Sequence, residues 1–163
     1  MTSQESLRRE LEDAFQNRAH LYRLLLEELE FELGPDRAEA VMRRVLQRRG
    51  QEVAGVLFLD LPADAVTLGD RFLSVSPDQG RMYPYDAERD AGWMAIRVHR
   101  CPLKDAWQAA GLAPTRVAQL CRIAGAFDKG LFEAAGLAFS NETWNEARGG
   151  GCCWITLQTR SGS

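Results

Sequence analysis

Trp93-Met94-Ala95-Ile96-Arg97-Val98-His99-Arg100-Cys101-Pro102-Leu103 is the stretch on which the fold turns. Up to Cys101 the side chains alternate. Met94, Ile96 and Val98 share one face; Trp93, Ala95, Arg97, His99 and Cys101 share the other. That period of two is the pattern of a half-buried strand. Pro102 breaks it and suits a first helical turn, where its missing N–H has no partner to lose. Ala106, Trp107 and Ala110 carry that short helix to Gly111. Helical patterns dominate before this stretch, and two more strands follow it. The chain therefore reads as α+β: N-terminal helices, a small mostly antiparallel sheet with inserted helices, and a C-terminal hairpin.

Upstream, Thr2-Ser3-Gln4-Glu5 has the form of a capping box, in which two side chains satisfy free amides of a first helical turn. Leu7, Leu11, Ala14, Leu21, Leu25 and Leu29 then recur at helical spacing until Gly34-Pro35 stops the run. At 1.5 Å per residue this helix is roughly 45 Å long, so one end is expected to stand off the core or to meet a second subunit. A second helix starts near Asp36, with Ala38, Val41, Met42, Val45 and Leu46 as its stripe, and Gly50 ends or interrupts it. Val53–Leu59 reads equally as a buried strand or a helical continuation. Asp60–Gly80 reads as a loop with one short helix around Ala65–Leu73. Met82, Tyr83 and Tyr85 form an edge strand around Pro84, followed by a polar connection over Asp86–Gly92.

Downstream, Pro114 opens a helix with Val117, Leu120, Cys121, Ala124 and Phe127 on its apolar face, and Gly136 caps it. Leu137–Trp144 and Cys152–Arg160 alternate on either side of a glycine-rich connection, the mark of a hairpin. No repeat or linker divides the chain, so residues 1–163 are expected to form one domain, with 1–52 its helical N-terminal part and 81–160 carrying the candidate site.

The net charge of −3 offers no basic face for nucleic acid. Arg43, Arg44, Arg48 and Arg49 cluster, but Glu39 and Glu52 flank them, as on a solvated helix. No apolar run approaches the roughly 20 residues that span a bilayer, and the first residues lack the basic-then-apolar order of a secretory signal. The expectation is a cytoplasmic protein that binds no membrane and keeps its thiols reduced.

All four cysteines and one of the two histidines fall between His99 and Trp154. Cys101 has His99 two residues before it on the strand and a helix start just after, and both lower a thiol's pKa. It reads as a nucleophile, a metal ligand or a buried thiol beside a half-exposed histidine. Cys121 lies on an apolar stripe and reads as core unless it meets Cys101 in space. Cys153 shares its face with Ile155 and Leu157. Cys152 shares the more polar face of Trp154, Thr156 and Gln158, after glycines, ending in Gly151, whose amides suit an anion. Cysteine spacing forms no zinc finger. A divalent metal such as zinc, held by Cys101, Cys121 and Cys152 from separate elements, stays open. Asp128, Glu133 and Glu142 each read as a general base or a metal ligand, with Asp128 otherwise part of a solvated helix face, and His20 reads as a helix-surface residue. Arg97, Arg100 or Arg122 would supply the paired donors for a carboxylate.

Asn17-Arg18-Ala19-His20-Leu21-Tyr22, Cys101-Pro102-Leu103, Leu120-Cys121-Arg122-Ile123-Ala124 with Asp128 following, and the glycine-rich step into Cys152-x-Trp154 together resemble the L-2-amino-thiazoline-4-carboxylic acid hydrolase family, over about residues 15 to 158. The resemblance implies hydrolytic opening of a cyclic amidine-like thioether to an N-carbamoyl cysteine. Cys101, Cys121, Asp128 and Cys152 are the matching positions. It extends loosely to small-molecule-binding domains of the 4-vinyl-reductase type. The doubled Cys152-Cys153 and the three-glycine run depart from the family's turn, where a polar residue is expected. The readings this leaves are a hydrolase using Cys101, Cys152, His99 and Asp128 with Arg97, Trp154 and Gly151 against the substrate; a non-catalytic small-molecule or metal-binding module; and an accessory protein working as a homodimer through its N-terminal helices.

Overall fold

The computed structural model describes residues 2–161. Five helices and a four-stranded sheet follow one another as α1 (Ser3–Leu33), α2 (Pro35–Leu57), α3 (Ala65–Ser74), β1 (Tyr85–Asp90), β2 (Trp93–Val98), α4 (Pro102–Ala109), α5 (Pro114–Ala134), β3 (Leu137–Glu142) and β4 (Cys153–Thr159). The fold is α+β, with the sheet antiparallel throughout in the order β1-β2-β4-β3. β3 and β4 form the expected C-terminal hairpin.

Local chemistry sets the helix ends. Thr2 accepts from the Glu5 amide at 3.2 Å, and the Glu5 carboxylate accepts from the Thr2 amide at 2.7 Å, completing the capping box. Gly34, at φ 80°, turns the chain between α1 and α2, a conformation that costs glycine little. α1 is pinned to α4 where the buried Trp107 indole donates to the Ala19 carbonyl at 2.8 Å. Arg116 on α5 holds Glu30 of α1 through both terminal guanidinium nitrogens.

α2 does not stop at Gly50. It runs on to Leu57, which settles Val53–Leu57 as helix. Gly50 is buried because α2 and α5 cross there at backbone distance. A Cβ on Gly50 would run into the Phe127 carbonyl, and one on Gly130 into the Gln47 carbonyl.

Two strand expectations need correction. The first strand is Tyr85–Asp90, where a polar connection was expected; Met82 and Tyr83 precede it, with Met82 buried and the Tyr83 ring edge-on to Phe15 at 5.7 Å. β1 is an edge strand with five of its six residues exposed, so it has no apolar alternation to read, and its charges blunt the open edge. β2 ends at Val98, three residues short of Cys101. Among the described residues no helix is long and apolar enough to cross a membrane.

Candidate active site

The helices and the sheet enclose a cavity of about 570 Å3. Its wall is built from helical stripes at i, i+3 and i+7 spacing: Phe15, Arg18 and Tyr22 from α1; Leu46, Arg49 and Val53 from α2; Cys121, Ala124 and Asp128 from α5. The sheet contributes Ile96 and Val98 of β2, directly opposite Ile155 and Cys153 of β4.

All four cysteines line this cavity. Cys101 does so because the chain leaves the sheet after Val98 and turns into α4, with Cys101 as its N-cap residue. Cys152 lies just before β4, its amide bonded to the Val98 carbonyl at 2.9 Å. Being outside the ladder, it escapes the strand's alternation and points inward, where Trp154 points out. The Cys152 and Cys153 sulfurs are 3.3 Å apart.

The thiols differ in character. A hydrogen bond from the Cys152 thiol, followed by the Lys104 and Leu103 amides at the start of α4, draws the Cys101 pKa below the ordinary thiol value against the opposing effect of burial. The sulfur forms no full capping bond, so the helix acts on it as a field. Cys152 is pushed up by its bonds to Cys101 and Cys153 and by burial, and stays a neutral donor. Burial, with Cys101 and Cys153 nearby, pushes Cys121 up.

Asp128 faces the cavity and has no hydrogen-bond or ion-pair partner among the described residues. Loss of solvation alone raises its pKa to about 7. Tyr83 stays protonated through burial, reinforced by Cys101 and Asp128 nearby, with Arg18 acting in the opposite sense. Arg18 and Arg49 are exposed at the mouth. Arg49 pairs with Glu52 at 3.0 Å, whereas Arg18 lies over the Phe15 ring at 5.0 Å with no ion-pair partner among the described residues.

The structure thus brings Cys101, Cys121, Cys152 and Asp128 to one cavity and leaves His99, Arg97, Trp154 and Gly151 out of its wall. His99 does not share a face with Cys101: it is exposed past the end of β2, its Nε2 2.7 Å from Asp86. Arg97 and Trp154 are cross-strand partners with the guanidinium 5.4 Å from the ring, on the sheet face opposite to inward-facing Ile96 and Ile155. Arg100 and Arg122 are engaged by Asp105 at 2.8 Å and Glu39 at 3.5 Å. Among the described residues no three His, Cys, Asp or Glu side chains are grouped to hold a metal ion. Sequence reasoning missed Arg18, Arg49, Tyr22 and Tyr83 as cavity groups. Arg18 and Tyr22 fall in the family-like stretch Asn17–Tyr22, and all of the first three sit beside a buried stripe of their helix.

No curated protein matches the chain. Among solved structures it is similar to a trafficking protein particle complex subunit 3 from Naegleria fowleri covalently bound to palmitic acid, at 13% identity and a TM-score of 0.58, covering 91% of this chain and 96% of that one. It is also similar to the phenol-responsive sensory domain of the transcription activator PoxR with phenol, at 16% identity and a TM-score of 0.49, covering 86% of this chain and 73% of that one. The first likeness shows a shared fold and nothing further. The family model of L-2-amino-thiazoline-4-carboxylic acid hydrolase matches residues 14–156, a span that takes in every cavity residue named above. The chain belongs to the L-2-amino-thiazoline-4-carboxylic acid hydrolase family.

Proposed function

We propose that the chain hydrolyses a small cyclic amidine of the amino-thiazoline carboxylate type, with Cys101 as nucleophile and Asp128 as the acid and base. The observation that carries this reading is a thiol of lowered pKa and a carboxyl of pKa about 7 lining one cavity, since groups that exchange protons near neutrality suit acid–base work. The Cys101 thiolate adds to the ring carbon between nitrogen and sulfur. The carbon–sulfur ring bond breaks, and the departing sulfur takes the proton held by Asp128. Water then adds to the same carbon and gives a proton to the Asp128 carboxylate. The added hydroxyl passes its proton to the amidine nitrogen as the Cys101 thiolate leaves, releasing an N-carbamoyl cysteine, so one water is consumed per ring opened. Cys152 donates to the thiolate, and Arg18 at the mouth receives the substrate carboxylate.

Two pH effects follow from the raised Asp128 pKa. In catalysis, kcat/KM is expected to fall above about pH 7 as the proton for the leaving sulfur is lost, while hydrolysis of the Cys101 adduct, followed in a single turnover, rises through the same range. In stability, the folded carboxyl keeps a proton that the unfolded chain releases near its ordinary value of 3.8, so stability declines as pH rises from there to about 7 and is level above. Asp128→Asn is expected to cut kcat about 100- to 10,000-fold. It should raise the melting temperature at pH 8 with little change at pH 4. A variant that keeps the pH dependence of the wild type removes Asp128 from the mechanism.

The competing reading, a binding module without turnover, uses the same cavity. Release of N-carbamoyl cysteine from 2-amino-thiazoline-4-carboxylate by the purified chain decides between them. The reading extends to assembly. Leu7, Leu21 and Leu25 are exposed in a row along α1, a surface suited to a second copy of the chain. A sedimentation coefficient that rises with concentration, and no longer does so in Leu21→Glu, is the expected result.

A further inference from the structure

The cavity exceeds what a single small ring requires. Its volume of about 570 Å3 lies within the roughly 300–1,000 Å3 that enclose drug-sized ligands. Its wall also divides by chemistry. The ionisable groups are Arg18 and Arg49 at the mouth, with Tyr83, Asp128 and the thiols within. Five further lining residues, Val53, Phe72, Ile96, Phe127 and Ile155, form an apolar section and are all part of the apolar cluster shared by α2, α3, α5 and the sheet. A ring bearing only an amine and a carboxylate would leave this section facing water. Apolar surface of that kind favours a ligand that covers it.

We infer that the substrate is a carboxylate with an apolar body larger than the amino-thiazoline ring, its anion held at the mouth by Arg18 and its body covering Val53, Phe72, Ile96, Phe127 and Ile155. Arg18 is the better anion holder because Arg49 is already paired with Glu52. A guanidinium at the mouth also draws anions in before contact. This rests on the hydrolase reading for the reacting centre and adds to it the part of the substrate that does not react.

The test is calorimetric titration of the full chain with acetate, butanoate, hexanoate and octanoate. Each added methylene is expected to tighten binding about three- to fourfold. Arg18→Gln should weaken octanoate about tenfold or more and leave octanol unaffected. Val53→Trp, which fills the apolar section, should cancel the gain with chain length. Should that variant not fold, protection of Cys101 in the wild-type chain from iodoacetamide gives the same information: octanoate is expected to protect and acetate not. Equal affinity from acetate to octanoate, or equal protection by both, overturns the inference. Turnover of 2-amino-thiazoline-4-carboxylate on the same preparation keeps the two readings apart. Turnover with flat binding sinks this inference alone; chain-length-dependent binding without turnover of 2-amino-thiazoline-4-carboxylate or of its 5-alkyl derivatives sinks the hydrolase reading alone.

Discussion

Cys101→Ser is expected to lower kcat by about 10,000-fold or more, the scale seen when a nucleophile is removed from a working set of groups, while leaving the melting temperature within a few degrees of the wild type. The thiol stands at the N-cap of α4, beside the Cys152 thiol, and is held below the ordinary pKa by that bond and the helix-start amides. A serine hydroxyl in the same place gains nothing comparable. Its far higher pKa leaves it neutral, and no imidazole lines the cavity to take its proton, since His99 is exposed against Asp86. The stability expectation follows from the half-buried position, where the smaller, more polar hydroxyl leaves no sealed void. Alkylation gives an independent check. Cys101 should react with iodoacetamide below the pH at which an ordinary thiol does, and Cys121, whose pKa is raised by burial, should lag far behind. Turnover that survives in Cys101→Ser would remove the covalent route.

Gly130→Ala is expected to cost about 3 kcal/mol of folding stability, the upper part of the usual range for overpacking. The new Cβ would meet the Gln47 carbonyl, which is backbone and cannot swing aside. α2 and α5 would have to part along a crossing that also relies on Gly50 against Phe127. Alanine's better helix propensity returns at most about 1 kcal/mol. Gly55→Ala is the control: it lies on the facing helix α2, exposed, with nothing near its added Cβ. There only the propensity gain acts, and stability should rise by roughly 0.5–1 kcal/mol. Equal effects in the two variants, read from denaturant midpoints, would mean the crossing tolerates wider spacing.

Some of this architecture was legible in the chain because its causes are local. The capping box at Thr2–Glu5 and the stop at Gly34-Pro35 act over a few residues. So do the helix from Pro114 to its glycine cap and the alternation of β2 and β4. Each lies within a few residues of where its sequence pattern puts it. β1 has no such pattern because an edge strand exposed on both faces has no buried period to display. Gly50 misleads because a glycine reads as a helix stop unless one knows that another backbone passes within reach.

The site shows the same division. Spacing alone determined that Cys121 lies on the apolar stripe of α5, that Cys153 faces with Ile155, and that Cys101 sits at a helix start. Only the tertiary structure decided that these faces meet around one cavity, that Cys152 turns inward because it precedes the ladder, and that Arg18, and not Arg97, stands at the mouth. Periodicity specifies which side chains of one element point together. What they point at is set by how α1, α2, α5 and the sheet pack, which no single element encodes.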